Sequence, residues 1–307
     1  MKDRMTFIAS TGGLCNRLRA FGACLTIAKY LDLDRTQLIW LPNESCPAEF
    51  EEMFVSQPNK WQPEISFRAG PTNKWCWGLD EIYYSSLVLN SIDCPSVVLD
   101  KLQEHYRFKL DRPSFYQLYC ETIREQFVPK EMIRKKIWAF KDKYKLSERI
   151  GCQIRDNDDH YEWQMKHRNW SLDKLDKVRE NNNRDFKKII KNSEAAFLSI
   201  DNSETTKQFS NMENVVTYPK VWRDEGRLSW SKLRETMRIR YREEHKNVNK
   251  SRQEYQHFRM TDMEDAVVDL FLLSECKKLY ISEGSSFGGF AARLGGVQKE
   301  IVKLSRE

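Results

Sequence analysis

The sequence predicts an α/β protein whose strands run parallel in two successive domains. Two observations carry that expectation. Short apolar runs alternate with stretches of helical periodicity, and after one irregular region the alternation restarts. A chain of 307 residues is long enough for two ordinary domains.

In chain order, Phe7-Ile8-Ala9 ends in Ser10-Thr11-Gly12-Gly13, and Leu14, Leu18, Phe21, Leu25 and Ala28 then recur at helical spacing. That pattern is strand, glycine turn, helix. Gln37 to Leu41 is a second strand stopped at Pro42, and the polar stretch to about Phe54 reads as a surface loop. A strand, a helix and a strand imply parallel neighbours. From Trp61 to Asp100, with Trp75, Trp77, Tyr83 and Tyr84, no period fits. Helices over about 113–127 and 130–144, separated by Pro129, lead to a strand at Ile150 to Ile154. The domain boundary is placed there, giving 1–147 and 148–307.

The second domain continues with a helix from Ser171, a strand at Ala196 to Ile200, a helix from Ser203 and a strand at Val215-Val216. Charges alternate so densely from Arg223 to Arg252 that an exposed helix or an insertion is expected. Thr261 and Glu264 form a capping-box pattern ahead of the apolar face Met263, Ala266, Val267, Leu270 and Leu273. Leu279-Tyr280-Ile281 is a strand, and a Gly/Ser turn opens the last helix.

Composition narrows the classes of function. No window approaches the ~18 apolar residues of a membrane span, and Met1-Lys2-Asp3-Arg4 lacks the basic-then-apolar build of a secretory signal. A soluble chain in the cytoplasm, or facing it, is expected. The eight cysteines include no C-x-x-C pair, which argues against a zinc site or a disulfide scaffold and for reduced thiols. The net charge of +6 comes from basic residues interleaved with 45 acids rather than gathered in a block. That pattern speaks against a nucleic-acid partner and for a smaller phosphate or peripheral contact with a membrane surface.

Ligands of open parallel sheets lie beyond the strands' carboxyl ends, so the residues just after each apolar run hold the chemistry. Four places stand out. At Gly12-Gly13-Leu14-Cys15-Asn16-Arg17 the glycines allow a tight turn that brings a helix N-terminus, Asn16 and Arg17 to the sheet edge. Gln153 to His160 delivers Arg155 and the carboxylates Asp156, Asp158 and Asp159. An arginine there can fork onto a diphosphate, and the carboxylates can position a hydroxyl, take its proton or hold a cation. Asp201 ends a strand, where it can accept hydrogen bonds from a base or a ribose, or else cap the next helix. Glu283-Gly284-Ser285-Ser286-Phe287-Gly288-Gly289 supplies hydroxyls and backbone N–H groups that make an anion cradle.

Taken in order, these segments resemble the NodZ-like and protein O-fucosyltransferase-like glycosyltransferase superfamily. Gly12 to Arg19 looks like its G-G-L-x-N-R-L-R start, and Trp40 to Phe54 resembles the pattern that follows. Arg155 and Asp158 match an H-x-R-x-x-D segment in which Gln153 replaces the histidine, and Phe197 to Asn202 resembles F-L-A-T-D-D. Asp265 to Gly296 is similar to the closing motif.

The resemblance implies a GT-B fold, two Rossmann-like domains facing a cleft, with the first on the acceptor side and the second binding the nucleotide sugar. It implies an inverting, metal-independent transfer, most simply of L-fucose from GDP-fucose, to a glycan or glycoconjugate hydroxyl. Beyond the donor itself no cofactor is implied. Arg155 would grip the diphosphate, Asp201 the nucleoside, and Ser285, Ser286 and Phe287 the phosphate end and base pocket. Gly12, Gly13, Asn16 and Arg17 would contribute from the first domain. Glu162 and Asp158 are the leading candidates for the base, ahead of Asp159 and His160. The alternatives are another nucleotide-sugar donor on the same fold, or a binding module without turnover.

Overall fold

β1 (Arg4–Ala9) and β2 (Arg35–Trp40) pair in parallel, so the chain must return the length of a strand between them. α1 (Leu14–Tyr30) makes that return. Its sequence reads as one apolar stripe, yet Leu14, Cys15, Arg17, Leu18, Ala20, Phe21, Ala23 and Cys24 are all buried. A helix covered on most of its faces needs small residues where neighbours come close. A Cβ on Gly22 would lie 2.6 Å from Ile123 Cγ2 of α3 (Arg112–Gln126). The computed structural model describes residues 4–9, 13–30, 35–40, 46–55, 61–63, 83–85, 111–156, 170–222 and 261–304.

These residues belong to two units, Met1–Lys135 and Lys136–Glu307, divided within α4 (Glu131–Tyr144). The first holds a parallel sheet in the order β3 (Trp61–Pro63), β2, β1, β4 (Tyr83–Ser85). β3 and β4 lie in the stretch where no period fits, and the rest of that stretch is outside the described residues.

One expectation is corrected in this unit. Much of the supposed surface loop ending at Phe54 is core: it holds the short helix α2 (Phe50–Met53), with Cys46, Phe50, Met53 and Phe54 buried. Phe50 and Phe54 have ring centroids 5.0 Å apart, and Phe21 and Phe127 pack on Phe50. Glu49, Glu51 and Glu52 suggest a surface by composition, but apolar residues at 50, 53 and 54 recur at helical spacing and form one buried face. Backbone hydrogen bonds from Val55 N to Val128 O (2.8 Å) and from Lys130 N to Met53 O (3.0 Å) fasten the stretch down.

The second unit follows the expected alternation: β5 (Ile150–Ile154), α5 (Leu172–Lys191), β6 (Ala196–Ile200), α6 (Ser203–Ser210) and β7 (Val215–Thr217). α7 (Met263–Ser274), β8 (Lys278–Ser282), α8 (Ser286–Gly295) and β9 (Lys299–Val302) complete it. The strands are parallel in the order β7-β6-β5-β8-β9. β5 and β6 are buried along their whole length, as in a parallel sheet covered on both faces. The predicted capping box does not form: Asp262, not Thr261, is the N-cap of α7, and Glu264 pairs with Lys136 instead of reaching back. The charged segment 223–252 lies outside the described residues. Among the described residues no helix is long and apolar enough to cross a membrane.

Phe50→Ala should cost about 3–5 kcal/mol in denaturant unfolding, the loss typical of a large buried aromatic. A change below about 0.5 kcal/mol would show that this stretch behaves as a surface loop after all.

Candidate functional site

The strand order of the second unit reverses between β5 and β8, because β6 and β7 lie on one side of β5 while β8 and β9 lie on the other. Helices leaving such neighbours diverge and open a crevice at the carboxyl edge. Arg155 leaves β5 and Ser285 follows β8, so the two flank this point. Their segments are tied together: Ser282 Oγ accepts from Arg155 N (3.0 Å) and donates to Gln153 O (3.3 Å).

Arg155 is half-buried, and among the described residues its guanidinium makes no hydrogen bond or ion pair. Its neighbour behaves in the opposite way. Asp156 is buried, takes Arg179 Nε on Oδ1 (2.6 Å) and Arg179 Nη2 on Oδ2 (2.8 Å), and also accepts from Thr205 Oγ1. Of the three carboxylates expected in this loop, Asp156 is therefore committed to the fold. Asp158, Asp159, His160 and Glu162 lie outside the described residues.

Asp201 is half-buried at the end of β6 and accepts from Asp156 N at 2.7 Å. Asn202, not Asp201, caps α6 by accepting from Thr205 N at 3.0 Å, so the capping role leaves Asp201 free for another. Desolvation, chiefly, with the neighbouring Asp156 charge, raises the Asp201 carboxyl to about 6, against the opposing pull of the Asp156 N–H, Arg155 and Lys220.

Across the switch point, α8 begins at Ser286. Ser285 is its N-cap, its Oγ accepting from Gly288 N at 3.2 Å. Ser286 and Phe287 are half-buried, and their N–H groups belong to the first turn, which has no intrahelical acceptor. A Cβ on Gly288 would fall 2.5 Å from Ile281 Cγ2 and 3.4 Å from Gln153 Cβ, so glycine lets this turn sit close on β5 and β8. Gln153 is buried, and its Oε1 has no hydrogen-bond partner among the described residues.

In the first unit, Gly13 and Asn16 are half-buried after β1, and Asn16 Oδ1 is buried without a partner among the described residues. Arg17 is fully buried, its guanidinium 5.0 Å from the centroid of the Trp40 ring, and burial lowers its pKa. Gly12 is outside the described residues. Among the described residues no group of three His, Cys, Asp or Glu is placed to hold a metal ion.

The sequence reading missed Arg179 and Lys220. Arg179 had a signal: with Leu175, Asn182, Phe186 and Ile190 it falls on the buried stripe of α5, where a charge needs a partner. Lys220 is buried against Asp269, an acid on the apolar face of α7.

No protein-family model matches the chain, and no curated protein matches it by sequence. Solved structures do resemble it. A variant of Arabidopsis thaliana FUT1 in complex with GDP gives a TM-score of 0.52 at 14% identity, over 98% of this chain and 70% of that one. The fucosyltransferase NodZ from Bradyrhizobium gives 0.48 at 16% identity, over 95% of this chain and 93% of that one. POFUT1 in complex with GDP gives 0.49 at 10% identity, over 99% of both chains. The chain has an α/β fold with a parallel sheet in each unit. It shares this GT-B fold with the FUT1 structure.

The raised carboxyl of Asp201 makes a pH prediction. The unfolded chain loses that proton near the ordinary value of 3.8, whereas the folded one keeps it to about 6, so between these values the folded state holds more protons and stability falls as pH rises. Asp201→Asn should therefore gain on the wild type across that window, by about 1–2 kcal/mol after allowing for solvent screening, and hold the gain above it. Urea melts at pH 4, 5, 6 and 7 read this directly. A difference between the two proteins that does not change with pH would show that the carboxyl is not raised.

Proposed function

We propose that this chain is a glycosyltransferase that transfers L-fucose from GDP-fucose to a hydroxyl of a glycan or glycoconjugate, with inversion and without a metal ion. One observation carries the reading. Arg155, with no ionic partner among the described residues, and the first turn of α8 flank the switch point of the second sheet, where a parallel α/β domain binds its ligand. The shared fold with FUT1, solved with GDP, and the motif resemblance through Arg155, Asp201 and Asp265 to Gly296 support the nucleotide.

In this reading the second domain holds the donor. The Arg155 guanidinium forks onto the diphosphate, and Ser286 N, Phe287 N and the α8 dipole hold its oxygens. Asp201 accepts hydrogen bonds from the nucleoside. Ser285 acts by shaping the turn as its cap. The first domain contributes Gly12, Gly13, Asn16 and Arg17.

During transfer, the acceptor oxygen bonds to the anomeric carbon as the bond to the diphosphate breaks on the opposite face. The electron pair departs with GDP and the acceptor proton passes to a carboxylate, Glu162 or Asp158. Arg155 and the helix N-terminus stabilise the charge gathering on the leaving diphosphate.

GDP at ~100 times its dissociation constant should add about 2.7 kcal/mol of stability, seen as a rise in Tm that other nucleoside diphosphates do not match. Arg155→Ala should remove about 1.5–3 kcal/mol from the bound donor, and at ~1.4 kcal/mol per decade turnover should fall at least about tenfold. Arg155→Lys should recover little, because a point charge cannot fork. Near-normal turnover in a folded Arg155→Ala protein would remove this loop from the active site.

A further inference from the structure

The last carbonyl of β6, that of Ile200, accepts a hydrogen bond from Lys220 Nζ at 2.9 Å. The same ammonium forms an ion pair with Asp269 Oδ2 of α7, with the lysine and aspartate side chains 8% and 4% exposed. Ser199 Oγ donates to that oxygen at 2.7 Å, and the Trp222 ring centroid lies 5.5 Å from the ammonium. Holding α7 to the sheet does not require charge. Apolar residues of similar volume usually do so at no loss of stability, because two ions must be desolvated to make a buried pair. What an ammonium supplies here and an apolar group does not is a donor and a positive charge at Ile200, one residue before Asp201.

We propose that Lys220 is a positioning residue of the nucleotide site, its ammonium fastening the end of β6 to Asp269 and thereby setting the aim and the ionisation of Asp201. The proposal rests on reading Asp201 as the nucleoside-contacting carboxylate. The groups facing Asp201 are Asp156, through its N–H and its charge, Arg155 and Lys220. Asp156 is already paired with Arg179, and Arg155 is assigned to the donor, which leaves Lys220 as the standing cation. Facing Lys220 are Asp269, Asp201 and Asp265. Asp265 is itself faced by Asp269, Asp262 and Lys136.

The test has two readouts across pH 5–8: calorimetric GDP affinity, and the Asp201 carboxyl titration in the free protein by carbon-13 NMR, assigned with Asp201→Asn. Lys220→Met should move the Asp201 midpoint upward and weaken GDP binding by up to about threefold at pH 6.5, with the loss fading by pH 8. Lys220→Arg should keep the wild-type midpoint. Lys220→Met combined with Asp269→Asn leaves no unpaired buried charge, so it covers the case in which the single variant fails to fold, and it should show the same upward shift. In an Asp201→Asn background, Lys220→Met should not change GDP affinity further. An unmoved Asp201 midpoint in the Lys220 variants, or an equal loss of affinity in the Asp201→Asn background, would overturn the proposal. Failure of the wild type to bind GDP would instead remove the functional reading, and the NMR midpoint would still decide whether Lys220 governs Asp201.

Discussion

A carboxylate buried in a protein needs its charge and its oxygens answered, and Asp156 has two side chains on its carboxylate and two further bonds from its backbone. Arg179 of α5 grips both of its oxygens, Thr205 of α6 donates to one of them, its N–H reaches Asp201 and its carbonyl accepts from Asn202 Nδ2 at 3.3 Å. Removing either member of such a pair leaves an uncompensated charge, a loss of about 3–5 kcal/mol. The network therefore fixes where the chain goes after β5. Because Asp156 is held inward against α5 and α6, its neighbour Arg155 remains without an ionic partner among the described residues at the point where the strand order reverses.

The rest of the site is arranged around that anchor. Ser282 joins β8 to the backbone on both sides of Ile154, Gly288 lets α8 sit against β5 and β8, and Lys220 secures β6 from α7. The ends of β5, β8 and β6 are thus fixed by two side chains, Ser282 and Lys220, before any ligand arrives. Such preorganisation matters for a charged leaving group, since donors already aimed at it need no rearrangement as its charge develops.

Much of the fold was legible because its signals are local. β5 and β6 are mostly apolar runs followed by polar residues, and glycine or serine marks the turns into α1 and α8. β9 was not legible, because Lys299, Glu300 and Ile301 are exposed on an edge strand and give no apolar pattern. α2 was hidden by its glutamates. In the site, Arg155, Asp201 and the Ser285 turn could be picked out as residues just beyond apolar runs. The roles that could not be read are those set by contacts distant in sequence: Arg179 with Asp156, and Lys220 with Asp269. Asn202 taking the cap of α6 follows from backbone geometry that a D-N pair leaves open.

The central claim is that the switch point between β5 and β8 holds a nucleoside diphosphate. A crystal structure of the full chain grown with GDP tests it most directly. The account predicts the diphosphate within about 3 Å of the Arg155 guanidinium and of the N–H groups of Ser286 and Phe287, with the nucleoside on Asp201. GDP bound elsewhere on the chain, or crystals grown at saturating GDP whose switch point is empty, would contradict it.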